Sequence, residues 1–240
     1  MAAELSVGII DSGFAVQQGA QVAQSRRFSM EADELHEGVV QPDALGHGSV
    51  VLQTLRKEAG AVRLCVAQVF GDRWQTSSLQ VAAALGWLVE QGVVLVNMSL
   101  GLRTDRPLLR EACEQAQARG VLLCASSPAQ GEPIYPASYP GVIRVTGDAR
   151  CAPGQLSWLN SRQADFGAHV AAANGVAGSS VACAALSGQI ANYLQSNPGA
   201  EREAVLAWLR ANPQQANVGV PATGSLPHFF SLMLGEAAKV

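Results

Sequence analysis

The chain has little charge and no basic cluster. Lysine, arginine, aspartate and glutamate together make up 15% of it, and the formal net charge is −3. Neutralising a phosphate backbone takes grouped basic side chains, so the composition argues against a nucleic acid partner. No apolar run is long enough to span a bilayer. The opening stretch from Met1 to Ser6 has neither a positive residue nor a long apolar run, so the parts of a secretory signal are missing. The five cysteines, Cys65, Cys113, Cys124, Cys151 and Cys183, show no paired spacing of the metal-ligand kind, and four of them sit in apolar segments. They are expected to be reduced core residues, which points to the cytoplasm, where thiols stay reduced. His36, His169 and His228 lack a carboxylate-rich or paired-histidine context and receive no catalytic role. No metal and no cofactor is predicted.

What is present is a large apolar fraction, 48% of 240 residues, enough for one sizeable core. Short runs rich in valine, leucine and isoleucine alternate with longer amphipathic stretches, the pattern of a buried parallel sheet with crossover helices. The strand candidates are Ser6 to Ile10, Arg63 to Val69, Val93 to Met98, Val121 to Ala125 and Val142 to Thr146. Helix candidates are Gly46 to Lys57, Ser77 to Glu90, Arg106 to Arg119, Ser179 to Gln195 and Ala200 to Ala211. Ser77 or Ser78 suits a helix start, and Gly92 and Gly120 suit helix ends. The order reads β-α-β throughout, which predicts an α/β fold with a mainly parallel twisted sheet, helices on both faces and ligand-binding loops at the carboxyl ends of the strands. Residues 1–211 are expected to form a single domain. Residues 212–240, rich at first in Pro, Gln, Asn and Gly and then apolar from Pro227 to Leu234, are expected to pack on it as a tail, with partner docking as the alternative.

Three polar positions interrupt this apolar pattern. The first strand runs into Asp11-Ser12-Gly13, a histidine sits between glycines at Gly46-His47-Gly48, and a helix of small residues opens with Gly178-Ser179-Ser180. Each has a plain structural reading: a turn aspartate, a glycine-rich helix start, and a helix N-cap serine. Their order along the chain, Asp then His then Ser, is nevertheless one of the few known to assemble a nucleophilic triad.

With these motifs the chain resembles the subtilisin-like serine protease family from Val7 to about Leu194. The resemblance runs through Ile-Ile-Asp-Ser-Gly, Gly-His-Gly-Ser, Val-Asn-Met-Ser-Leu-Gly at Val96 to Gly101, Tyr-Pro-Gly-Val-Ile at Tyr139 to Ile143, and Gly-Ser-Ser-Val-Ala. It implies a subtilisin-like fold with Ser180 attacking the scissile carbonyl, His47 carrying the proton and Asp11 orienting the imidazole. It also implies that Ser99, Leu100 and Gly101 bind an extended peptide as an added strand. Ile134 falls at the base of the main specificity pocket, where its bulk implies a preference for a small residue before the cut bond.

The chain departs from the family at one telling position. Ala129 stands where the family has the asparagine that donates to the tetrahedral oxyanion, a donor whose loss costs subtilisin roughly 10²–10³ in turnover. Ser127 or Gln130 is the candidate replacement, or the backbone N–H of Ser180 works nearly alone. Few residues precede Asp11, so no long pro-segment is expected, and the stretch from Ala171 to Ser180 is shorter than in the family. The aspartate-rich loops of the family's calcium sites are missing.

The implied function is an intracellular serine endopeptidase that processes a specific polypeptide partner by removing a leader or propeptide. The compactness and the motif departures resemble the maturation proteases of quinohemoprotein amine dehydrogenase, implying the precursor of that enzyme's small subunit as partner. Two other functions fit the same residues: a catalytically weak or inactive peptide-binding or chaperone protein, and an esterase or acyltransferase.

Overall fold

A computed structural model describes residues 4–171 and 177–211. Nine strands form one sheet: β1 (Ser6–Asp11), β2 (Val22–Glu31), β3 (Glu34–Gly38), β4 (Arg63–Gln68), β5 (Leu95–Met98), β6 (Leu122–Ser126), β7 (Ile143–Gly147), β8 (Leu156–Trp158) and β9 (Phe166–Ala168). Five α-helices accompany them: α1 (His47–Ala59), α2 (Ser78–Glu90), α3 (Pro107–Ala118), α4 (Ser179–Ser196) and α5 (Arg202–Ala211). The strand order is β3-β2-β4-β1-β5-β6-β7-β9-β8. Seven neighbouring strands run parallel, and β3 and β8 close the two edges antiparallel to β2 and β9.

Side chains on a strand alternate between faces, and β1 shows how this sheet uses them. Val7 and Ile9 join the core under α1, α4 and α5, while Ile10 joins the core under α2 and α3. Both faces are therefore covered, as the apolar strands require. The helix starts are set by local chemistry. Ser77 caps α2, its Oγ accepting from Gln80 N at 3.2 Å, while the Gln80 side chain accepts from Ser77 N in return.

The mainly parallel sheet with helices on both faces matches expectation, but the β-α-β order does not hold throughout. The hairpin of β2 and β3 and the short strands β8 and β9 went unforeseen. β2 reads Val-Ala-Gln-Ser-Arg-Arg-Phe-Ser-Met-Glu and has only Phe28 fully buried, so next to the edge strand β3 it shows no continuous apolar run. β8 and β9 have three residues each, too few for a periodicity to register. The expected tail at 212–240 lies outside the described residues, as does His228. All five cysteines are unpaired and buried, and burial pushes the Cys113 and Cys124 thiols up to about 12.

The strand registers bring the polar interruptions together. Asp11 on β1 pairs with Gln68 on β4, and Ile10 pairs with Met98 on β5, so Asp11, Gln68 and Ser99 share the carboxyl edge of the sheet.

Candidate active site

The sheet edge carries a buried carboxylate. Asp11 ends β1 with no solvent exposure, and its Oδ1 accepts from Ser12 N at 2.7 Å and from the Ser12 hydroxyl at 3.2 Å. His47, the first residue of α1, places Nδ1 2.7 Å from the same Oδ1. With Nδ1–H as donor, the proton-free Nε2 is left as an acceptor on the far side of the ring. Burial works to lower the His47 pKa, but the charge of Asp11 and its hydrogen bond, aided by the charge of Asp43, outweigh burial and hold the imidazole above its ordinary value.

Two glycines let these segments meet. Gly13 turns the chain at φ 100°, and any Cβ there would lie 2.8 Å from Gln68 Nε2. A Cβ on Gly48 would lie 2.3 Å from the Gly13 carbonyl oxygen, so α1 can approach the β1 turn only with glycine at that position. The Gly48 N–H then reaches the Ser12 hydroxyl at 2.8 Å.

Asp43 and Gln68 fix the surroundings. Asp43 Oδ1 accepts from Leu45 N and Gly46 N, and Oδ2 accepts from Ser49 N at 2.8 Å and the Ser49 hydroxyl at 2.6 Å. It thus does for α1 what the N-cap Gly46 cannot. The Gln68 amide donates to Ser12 O and Gln41 O and accepts from Gln41 N, tying the β1 turn to the chain ahead of α1. Trp74, in the loop after β4, packs its ring at 83° to the His47 ring with 5.2 Å between centroids, and Phe70 backs Trp74. Neither Asp43, Gln68 nor Trp74 was singled out from sequence. The available signals were an aspartate four residues before the histidine, and an aromatic in a loop at the carboxyl end of a strand.

Ser180 is the second residue of α4 and is 7% exposed. A buried polar chain holds its backbone: Ser187 Oγ donates to Asn97 Oδ1 at 3.1 Å, Asn97 Nδ2 to Ser99 Oγ at 3.0 Å, and Ser99 Oγ to Ser180 O at 3.1 Å. Asn97 could have been noticed as the one amide in an otherwise apolar strand, and Ser187 as a hydroxyl among small helix residues. The Ser180 hydroxyl donates to Ser99 O at 3.4 Å, longer than an ordinary O–H···O bond. Among the described residues it makes no hydrogen bond to His47. Such bonds are often loose in a ligand-free protein and tighten when substrate arrives.

The remaining predicted residues take definite positions. Ser99 and Leu100 are buried, and next to them Leu102 and Tyr135 exchange two backbone hydrogen bonds of 2.7 and 2.9 Å. This pairing presses Ile134 onto Gly101, where a Cβ would lie 2.6 Å from Ile134 Cδ1. The Ser127 hydroxyl donates to Gln163 O at 2.7 Å, Ala129 is half-buried, and Gln130 is exposed.

Several known proteins are similar to this chain in sequence or in fold. Minor extracellular protease Epr of Bacillus subtilis is 29% identical over 154 residues, an alignment taking in 59% of this chain and 23% of that protein. Subtilisin DY of Bacillus licheniformis is 26% identical over 165 residues, covering 60% of this chain and 56% of that one. This chain therefore spans well under two thirds of these relatives' length. The nisin leader peptidase NisP from Lactococcus lactis superposes with a TM-score of 0.72 at 16% identity, over 91% of this chain and 85% of that one. The family model for subtilases matches residues 3–223, nearly the whole sequence, and on that match the chain belongs to the subtilase family.

Proposed function

We propose that this protein is a serine endopeptidase in which Ser180 is the nucleophile, His47 the general base and then acid, and Asp11 the group that orients and stabilises the imidazolium. The observation that carries the reading is the buried 2.7 Å contact between Asp11 Oδ1 and His47 Nδ1, set at the same sheet edge as a helix-start serine whose carbonyl is tied to that edge by Ser99. A free serine hydroxyl is a poor nucleophile at neutral pH and needs such a neighbouring base.

In the reaction, Ser180 Oγ forms a bond to the scissile carbonyl carbon while its proton passes to His47 Nε2 and the carbonyl π pair moves onto oxygen. When the C=O bond re-forms, the C–N bond breaks and the leaving amine takes the proton from His47. Water then repeats the sequence on the acyl-enzyme, releasing the acid and restoring Ser180. Asp11 favours the imidazolium formed in each half and keeps Nε2 aimed outward.

Substrate would lie along Ser99, Leu100 and Gly101 as an extended strand, held mainly by backbone hydrogen bonds. Ile134 packs against Gly101, and its bulk beside the substrate strand favours a small residue before the cut bond. We take the reaction to be removal of a leader or propeptide from one polypeptide partner, with the precursor of the small subunit of quinohemoprotein amine dehydrogenase as the partner the sequence resemblance favours. NisP is by its name a leader peptidase, and its likeness in fold supports that kind of substrate by analogy alone. The five buried, unpaired cysteines favour a reducing compartment such as the cytoplasm.

The test is to incubate the protein with that precursor and read the leader's loss by intact mass. Cleavage at one bond, absent with Ser180→Ala, is the expected result. Cleavage of generic peptides but not of the precursor would remove the partner and keep the peptidase. Binding of peptides without cleavage of any would favour a peptide-binding protein, the reading that Ala129 at the usual donor position supports.

A further inference from the structure

Trp74 serves neither core of the protein. Trp87 lies in the core under α2 and α3, and Trp208 packs against the core under α1, α4 and α5, but Trp74 belongs to neither cluster. It is half-buried in the stretch between β4 and α2, with Asp72, Arg73 and Gln75 exposed around it. An indole held at the carboxyl edge of the sheet with no core to fill calls for another use. Its neighbour supplies one. The Trp74 ring meets the His47 ring at 83° with 5.2 Å between centroids, within the range of an attractive edge-to-face pair.

His47 needs a second support. Among the described residues, the 2.7 Å contact from Nδ1 to Asp11 Oδ1 is the ring's one hydrogen bond. It fixes a single atom, and the torsion that turns an imidazole on its stem is soft. Rotation about that torsion would swing Nε2, on the far side of the ring, away from the proton it has to collect. Groups that act in catalysis keep their geometry only when packing locks their rotamers.

The stretch that carries Trp74 is anchored at both ends. Val69 N–H donates to the Asp11 carbonyl oxygen at 2.9 Å, and Gln80 Nε2 donates to Val69 O at 3.2 Å. Phe70, 5% exposed and part of the core under α2 and α3, lies 6.0 Å from Trp74 with the rings at 61°. Ser77 and Gln80 close the far end with the reciprocal cap of α2. Asp11 thus holds both sides of the contact: its carboxylate takes the imidazole, and its carbonyl takes the strand end from which Trp74 departs.

Resting on the peptidase reading, we infer that Trp74 is a positioning residue: it stops the His47 ring from turning on its stem, so that Nδ1 stays on Asp11 while Nε2 stays aimed at the Ser180 proton. Trp74 itself gives and takes no proton. The charges acting on His47 are those of Asp11, at the end of β1, and Asp43, ahead of α1, and Trp74 adds none. Losing it removes orientation, which lowers the rate even where the imidazole is fully neutral. A role in shielding alone would move the acid limb and leave the plateau above it intact.

The test compares wild type with Trp74→Phe and Trp74→Ala. It reads the rate of Ser180 labelling by a fluorophosphonate as a function of pH, kcat and KM on a peptide that the protein cleaves, and tryptophan fluorescence as a function of pH. Trp74→Ala should lower the plateau of labelling and of kcat about tenfold to a hundredfold, the scale of a small misplacement of a reacting group, with KM little changed. Trp74→Phe keeps a ring against the imidazole and should keep most of the rate. An indole touching an imidazole reports its charge, so wild-type fluorescence should titrate with the midpoint of the acid limb. That step should vanish in Trp74→Phe and in His47→Ala. A Trp74→Ala plateau equal to wild type, a Trp74→Phe protein as slow as Trp74→Ala, or the absence of a His47-dependent fluorescence step overturns the inference and leaves the peptidase standing. The fluorescence step needs only wild type, Trp74→Phe and His47→Ala, so it decides the matter even where Trp74→Ala does not fold. A wild type that takes no label and cleaves no peptide overturns both.

Discussion

The two halves of the site are built in opposite ways. Around His47 most polar groups have a partner: Asp11 Oδ1 takes three hydrogen bonds, Asp43 takes four, and Gln68 ties the β1 turn to the segment before α1, although Asp11 Oδ2 is buried with no partner among the described residues. Around Ser180 the hydroxyl rests on a 3.4 Å contact, and the hydroxyls of Ser126 and Ser179 have no partner among the described residues. The difference follows from what each half has to do. An acid–base group needs one tautomer and one orientation before substrate arrives. A nucleophile and the donors around it need unspent capacity for charge that appears only during the reaction.

Breaking the nucleophile's half has the largest expected effect. Ser180→Ala should cut peptide turnover about 10⁶-fold, the scale on which a subtilisin responds to loss of its serine, while substrate binding measured by fluorescence anisotropy persists. Next comes the wired half. Asp11→Asn should lower kcat by about 10⁴, because the imidazole loses the partner that selects its tautomer. The pH profile gives this variant a second signature. His47 must be neutral to accept a proton, and in wild type its raised pKa puts the acid limb of kcat/KM above the ordinary 6.5. Without the carboxylate, burial dominates and that limb should move to lower pH, which a rate–pH series reads directly.

Smaller changes sharpen the contrast. Ile134→Gly should open the pocket beside Gly101 and raise the preference for a large over a small residue before the cut bond by roughly tenfold to hundredfold, measured on paired peptides. Gln68→Ala removes three hydrogen bonds from a residue that is 1% exposed. It should cost about 1–3 kcal/mol of stability in urea unfolding, with a modest fall in kcat as the β1 turn loosens.

The same contrast governs how much of the molecule could be read from the chain. Apolar strands such as Val93 to Met98, and helices with clear caps such as the one begun by Ser77, carry their signals locally, and the structure places them within a residue or two. The β2–β3 hairpin carries none, since a half-exposed strand with Arg26 and Arg27 in it looks like a polar loop until β4 is beside it. Asp11, His47 and Ser180 stood out because glycines and an apolar background mark them. Asp43, Gln68, Asn97 and Ser187 act through partners between 2 and 90 positions away, and spacing along the chain gives no hint of those distances. Ser126 shows the limit most clearly: in sequence it is one more small residue after a strand, and only the fold leaves its hydroxyl buried without a partner among the described residues.

The most direct measurement is to treat the protein with a fluorophosphonate at pH 8, digest it, and locate the adduct by tandem mass spectrometry. A single adduct on Ser180, lost in His47→Ala, is the predicted result. An unmodified protein, or an adduct on any other serine, would contradict the account.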